Sequence, residues 1–300
     1  MEHKNLISII AKLANNKTLS TDERRINERA LIKAKQNGYN VTGQYNFEVR
    51  EIGYLPPLKE QTKGVLTKTN DIESLLNRCV FIPNCQNAMK VPFVSLNNID
   101  WGVISGDNCT FDSAKMSAKR LSTVCDISLE VLNSTNEDFQ INFQNAVFEN
   151  IYKKVFESAF SQQRGGEDKP TGLFYNLSSS TISSVEDLIN LQKDVDKLCD
   201  GGIWVCSPTA KAKLNEINTT TNIFDDGKML NSDIIFTSLV EDGFICYLDL
   251  SKFVVCEFGV MGVTIDNFTK KIDGKVRLTF EAYFDFDLAD KNCIKVGQFQ

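Results

Sequence analysis

The chain has 300 residues, 42% of them apolar and 24% charged, the make-up of a globular protein able to bury a sizeable core, which argues against disorder or a fibrous repeat. With 33 Lys and Arg against 39 Asp and Glu the formal net charge is −6, whereas a dedicated nucleic-acid binder carries a basic surface, so any DNA contact is expected to be local or indirect. Apolar runs such as Phe253 to Cys256 fall far short of the ~20 residues that cross a bilayer, and Met1 to Asn5 lead into a mixed polar helix, so no membrane partner and synthesis in the cytoplasm are expected.

Leu6, Ile9, Ile10 and Leu13 fall at helical spacing. A second helix begins at Ser20, where Ser20 and Glu23 fit a capping box and Gly38 supplies a stop. These two helices are expected to form an N-terminal unit, residues 1–58, closed by the rigid break Tyr54-Leu55-Pro56-Pro57. Residues 59–90 read as a polar linker with one or two helical turns. Between Val91 and Thr123 large apolar residues are sparse, and Trp101 and Val103 stand among Asn97-Asn98, Gly102 and Gly106-Asp107. This composition predicts a projecting hairpin, residues 91–118, without enough apolar matter for its own core.

Ser134 and Glu137 make another capping box. Beyond it Phe143, Val147, Ile151, Val155 and Ala159 recur every four residues, flanked by Phe148, Tyr152, Phe156 and Phe160, which predicts a long helix with a wide apolar stripe. It stops in Gln162-Gln163-Arg164-Gly165-Gly166, ahead of Lys169-Pro170-Thr171-Gly172-Leu173-Phe174. A third helix is expected from Ser183, with Glu186 in capping-box register and Val185, Leu188, Ile189, Val195 and Leu198 turned inward. A buried strand Ile203 to Cys206 follows, then Ser207 as N-cap and Pro208 as first residue of a short helix over Thr209 to Ile217. The remainder reads as strands at Ile234 to Phe236, Phe244 to Leu248, Phe253 to Phe258, Gly262 to Phe268, Lys275 to Leu288 and Cys293 to Val296. In the longest, Val276, Leu278, Phe280, Ala282 and Phe284 alternate inward, as in an antiparallel sheet half open to solvent.

The chemistry is defined mostly by exclusion. None of the nine cysteines forms a Cys-x-x-Cys pair, and several sit in apolar runs, where a thiol behaves as a small hydrophobe. The single histidine is His3, which leaves no internal His for a catalytic base or a His-rich metal site. Gly227-Lys228 and Gly274-Lys275 lack the upstream glycine of a phosphate loop, and Asp225-Asp226 and Asp285 with Asp287 lack calcium-loop spacing and read as solvated acids. Phe280, Tyr283, Phe284 and Phe286 lie in an alternating strand and read as core. No cofactor, metal or catalytic residue is assigned.

The order of elements carries a family resemblance. A sparse hairpin is followed by a strand, Lys119 to Ile127, which runs into a turn of helix at Leu129 to Leu132. The long helix comes next, then the Gly-rich loop, Pro170-Thr171-Gly172-Leu173, and Ile203-Trp204-Val205-Cys206-Ser207-Pro208 with a helix bearing Leu214. Over about residues 79–300 this resembles the major capsid protein of tailed bacteriophages. The resemblance implies an α+β, Hong Kong-type capsid fold: an extended loop at 91–118, a peripheral domain with its spine helix at 119–180, an axial domain at 181–270 and return strands at 271–300. It implies pentamers and hexamers of a shell around double-stranded DNA, a virion location and no enzymatic role. Scaffold, protease, portal and decoration proteins are the further partners it suggests, with residues 1–58 either a cleaved internal scaffold or a retained arm.

Six residues are candidates for assembly: Trp101, Val103, Lys115, Lys119, Gly165 and Gly166. Trp101 either anchors the hairpin on a neighbour or packs into its own subunit. Lys115 and Lys119 stand at the loop's return, where some members of the family form a lysine–asparagine link, but no pattern identifies a reactive trio. The acidic C-terminal half, with 21 acids against 13 bases over residues 166–300, suits either a container for DNA or plain solubility. An encapsulin-type compartment and a cysteine-dependent α/β enzyme are the alternatives.

Overall fold

The computed structural model describes residues 6–38, 41, 43–48, 71–85, 88–96, 109–133, 137–199, 201–218, 222–225 and 227–299. Two sheets organise it. The first is six-stranded, built from β1 (Tyr45–Phe47), β2 (Val80–Cys85), β5 (Lys119–Ser128), β12 (Phe253–Phe258), β13 (Met261–Asp266) and β14 (Lys275–Leu288). Its centre is β14, which pairs antiparallel with β5 over Lys275–Phe284, with β13 over Arg277–Glu281 and with β12 over Phe284–Leu288. The alternation read from the sequence places Val276, Leu278, Phe280, Ala282, Phe284 and Phe286 in the core.

After two short helices, α3 (Asp71–Leu76) and α4 (Leu129–Leu132), the long helix α5 (Glu137–Ala159) lies against this sheet. Phe148, Ile151, Tyr152, Val155, Phe156, Ala159 and Phe160 are buried, as the four-residue recurrence requires. Tyr152 meets Phe284 edge-on, with ring centroids 5.8 Å apart, and Phe156 sits 6.2 Å from Phe253. Aromatic contacts of this kind add to the ~1.5–3 kcal/mol that burying each large apolar side chain contributes. The expected cap at Ser134 lies outside the described residues.

The second sheet has seven strands in the order β6 (Ser180–Ile182), β15 (Ile294–Phe299), β11 (Phe244–Leu248), β7 (Ile203–Cys206), β10 (Ser232–Phe236), β9 (Lys228–Met229) and β8 (Phe224–Asp225). Two helices, α6 (Val185–Asp196) and α7 (Pro208–Asn218), pack on it and share a second core with Trp204, Cys206 and Tyr247. Ser207 caps α7 as expected, its Oγ accepting from the Ala210 amide at 3.2 Å. For α6 the expected register is one residue off. Ser184 is the N-cap, and Asp187 completes the capping box because its carboxylate also accepts from the Ser183 and Ser184 amides. Leu188, Leu191 and Val195 face the core, and Leu198, expected inward, lies past the C-cap at Lys197 and is exposed.

Three further expectations are corrected. First, the described part of the expected N-terminal unit 1–58 is not separate from the body. On α1 (Leu6–Ala14), Leu6, Ile7, Ile9 and Ile10 enter the same core as α5, and β1 adds an edge to the first sheet by pairing with β13. The second helix, α2 (Thr21–Gln36), has the expected Ser20–Glu23 box and is tied to β1 by the Tyr45 hydroxyl donating to the Glu23 carbonyl at 2.8 Å. Second, the division at residue 270 does not follow the sheets: β12 and β13 belong with β14, whereas β15 crosses to β11. Third, the first sheet is not purely antiparallel: every pair that β14 makes is antiparallel, as expected, but β2 with β12 is parallel.

The hairpin is present and begins earlier than expected. β3 (Ala88–Leu96) and β4 (Cys109–Ser117) pair antiparallel through nine residues each and form a two-stranded sheet of their own. At its root Ala114 and Met116 join Cys85, Val254, Cys256 and Phe258 in a small third cluster, with Met89 and Val91 packed against it. The span 97–108 lies outside the described residues.

Candidate assembly site

At the root of the hairpin the chain makes a polar cavity of about 250 Å³. Lys115 and Ser117 reach it from the end of β4, and Lys119 from the start of β5. Gly166, Lys169, Thr171 and Asn176 come from the loop after α5, Asp285 and Asp287 from β14, and Lys291 from the turn before β15. The Lys119 ammonium donates to the Ser117 hydroxyl at 2.8 Å.

Asp285 organises the floor. Its Oδ2 accepts from the Ser117 amide at 2.9 Å and its Oδ1 from the Phe286 amide at 3.0 Å, so this one carboxyl pins the hairpin root onto β14. The residue is only 7% exposed. Burial holds its pKa above the ordinary carboxylate value, against the opposing pull of the two amides and Lys119. The sequence places Asp285 among solvated acids; this is corrected because the hairpin root covers that face of β14.

Of the six candidates, three converge on this cavity: Lys115, Lys119 and Gly166. Gly165 has a different role. A Cβ there would stand 2.0 Å from Thr171 Oγ1, and one at Gly172 would stand 2.1 Å from the Ser161 carbonyl oxygen. Two chain segments therefore cross in contact, which only glycine permits. Trp101 and Val103 lie outside the described residues. Sequence reasoning missed Lys169, Lys291 and Asp285, which no local spacing links to the hairpin.

A second depression, apolar and about 570 Å³, runs between α5 and β5, where Phe143, Val147 and Ile151 face Leu121, Cys125 and Phe280, with Lys153, Lys154 and Glu157 along its edge. Neither cavity holds an activated thiol. Burial pushes Cys79 and Cys206 up to about 12 and Cys125 up to about 11, far from the thiolate a nucleophile needs. Cys85 is lowered, by its bond to the Cys256 thiol, but is only 3% exposed. Among the described residues no three His, Cys, Asp or Glu side chains group as metal ligands, and no helix is long and apolar enough to cross a membrane.

The sequence profile described as the phage capsid family matches residues 102–299, well over half of the chain and including both sheets' longest strands. The chain belongs to the phage capsid family. No curated protein matches this capsid protein in sequence. Among solved structures, the capsid of an empty GTA particle is 16% identical with a TM-score of 0.60, covering 89% of this chain and 97% of that one. A chain of Mycobacterium phage Adephagia is 12% identical with a TM-score of 0.58, over 84% and 96% of the two chains. The holo-SrpI encapsulin complex of Synechococcus elongatus is 14% identical with a TM-score of 0.55, over 81% and 92%. At such identities the likeness is one of fold, and the fold of this capsid protein is the Hong Kong-type α+β architecture.

Proposed function

We propose that this capsid protein assembles with copies of itself into a closed icosahedral shell of pentamers and hexamers that encloses double-stranded DNA without reading its sequence. The observation that carries the reading is family membership over residues 102–299 combined with a hairpin that leaves the body as a two-stranded sheet. A two-stranded ribbon is marginal in water by itself, so a neighbouring copy is the natural source of its missing partner surface. Head-to-tail contacts of that kind close into rings, and rings tile a shell. Trp101 and Val103 at the hairpin are proposed as contacts with the neighbour, with Lys115, Lys119 and Gly166 at its root.

The first residues of the fold belong to the subunit that assembles. Leu6, Ile7, Ile9 and Ile10 are at most 1% exposed, so we propose residues 6–47 as a retained arm and not as a removable scaffold. Mass spectrometry of assembled particles tests this: the intact N-terminal peptides are expected, and their loss would refute it.

Negative-stain microscopy of the purified protein tests the main reading. Uniform closed shells are expected; a monodisperse small particle at high concentration would overturn it. An encapsulin-type compartment is the second reading, favoured by the encapsulin among the solved structures of this fold. Particles isolated from producing cells separate the two, since a genome container holds nucleic acid and a compartment holds folded protein cargo.

A further inference from the structure

Four ammonium groups, those of Lys115, Lys119, Lys169 and Lys291, line the cavity at the hairpin root. Among the described residues none of the four makes an ion pair, although lysines elsewhere do, as Lys33 does with Glu48 at 2.7 Å. Two carboxylates, Asp285 and Asp287, stand against these four ammonium groups in the cavity lining. Asp285 accepts from two backbone amides, and Asp287 Oδ1 accepts from the Leu288 amide at 2.9 Å. The site therefore carries a local surplus of positive charge in a chain whose net charge is −6. Like charges held together raise one another's energy unless an anion joins them.

We propose that this cavity receives a carboxylate side chain from a second copy of the chain. The inference rests on the shell reading and names one of its contacts. Three observations favour that occupant. A volume of about 250 Å³ takes one acidic side chain and a few waters, and falls below the ~300 Å³ at which pockets for larger ligands begin, so a nucleotide is a poor fit. Residues 166–300 carry 21 acids against 13 bases, so a second copy presents the complementary charge in abundance. The position is also apt: the cavity sits where the hairpin leaves the body, and Asp285 fixes the hairpin root beside the lysines. Capture of a neighbour's acid would thus set the angle at which the hairpin departs.

Zero-length carbodiimide coupling tests the proposal, because it forms an amide only between an amine and a carboxylate already in contact. Shells are assembled from a mixture of ¹⁴N- and ¹⁵N-labelled copies, coupled and digested. The expected result is mixed-isotope cross-links joining at least one of Lys115, Lys119, Lys169 and Lys291 to an Asp or Glu. Links confined to single-isotope peptides, or none at these lysines, would overturn the proposal while leaving the shells themselves as support for the broader reading. If the protein builds no shells, both fall together. As a second measurement, K169Q/K291Q removes two exposed ammonium groups that make no ion pair among the described residues. At low salt it is expected to melt like the parent and to assemble about ten-fold more slowly, with a weaker response to added salt. Unchanged rate and salt response would refute the role assigned to these lysines.

Discussion

Two segments of this chain look peripheral in the sequence, and the structure treats them in opposite ways. Residues 6–47 place Leu6, Ile7, Ile9, Ile10, Tyr45 and Phe47 at 1% exposure or less in the main core. The hairpin β3–β4 contributes Ala114 and Met116 to a small cluster at its root and is otherwise a separate two-stranded sheet. What differs is the apolar payload: six large side chains with a complementary surface in the same subunit, against a ribbon whose described contacts end at its base. A segment of the first kind is part of the folding unit. A segment of the second kind is available for a partner.

The sharpest way to break this contrast is to remove each segment in turn. Deleting residues 1–47 withdraws those six side chains, a loss on the order of 10 kcal/mol or more at ~1.5–3 kcal/mol each. That equals the whole stability of a typical domain, so the truncated chain is expected to be insoluble or to lack a cooperative melt. Replacing residues 95–110 with an Asn-Gly turn should do the reverse: a subunit with a near-parental melting curve that forms no shells in the microscope. Normal shells from that variant would end the bridging role of the hairpin.

A smaller effect probes the joint between hairpin and body. Because burial raises the pKa of Asp285, the folded protein keeps this proton at pH values where the unfolded chain has released it. Its contribution is therefore fullest in acid and declines as pH climbs from the ordinary value, ~3.9, through the raised folded one. In Asp285→Asn that decline should vanish, making the difference in urea midpoint between pH 4 and pH 7 smaller than in the parent. An identical pH response in both proteins would show that Asp285 titrates normally.

The smallest effects belong to local features of the body. Ser184→Ala removes the acceptor for the Asp187 amide at 3.3 Å and should cost about 1 kcal/mol in denaturant unfolding, leaving assembly intact. Arg277→Gln breaks an exposed bidentate pair with Asp126, at 2.7 and 2.9 Å, and should lower the urea midpoint less than Ser184→Ala does, and less still in high salt. Either change abolishing shells would show that the body also tunes assembly.

Much of the fold was readable along the chain because its signals are short-range. The Ser20–Glu23 box, the Ser207-Pro208 start and the two-residue alternation from Lys275 to Leu288 each need only neighbouring residues to be recognised. The α6 register slipped by one because Ser183 and Ser184 are both capable caps, and the choice fell to Asp187, which serves both amides. The site was only half legible. Lys115 and Lys119 drew attention through their place at the end of the hairpin, whereas Lys169, Lys291 and Asp285 joined them through pairings across more than a hundred residues.

The sequence by itself determined the elements, the apolar faces they would bury and the order that marks a capsid fold, since caps, periodicity and turn residues act within a few positions of one another. Only the tertiary structure decided that the N-terminal helices share the main core, that β15 joins β11 instead of β14, and that four lysines surround one cavity. Those outcomes depend on which distant surfaces meet when the chain closes, and that meeting is settled by packing and strand register over the whole molecule.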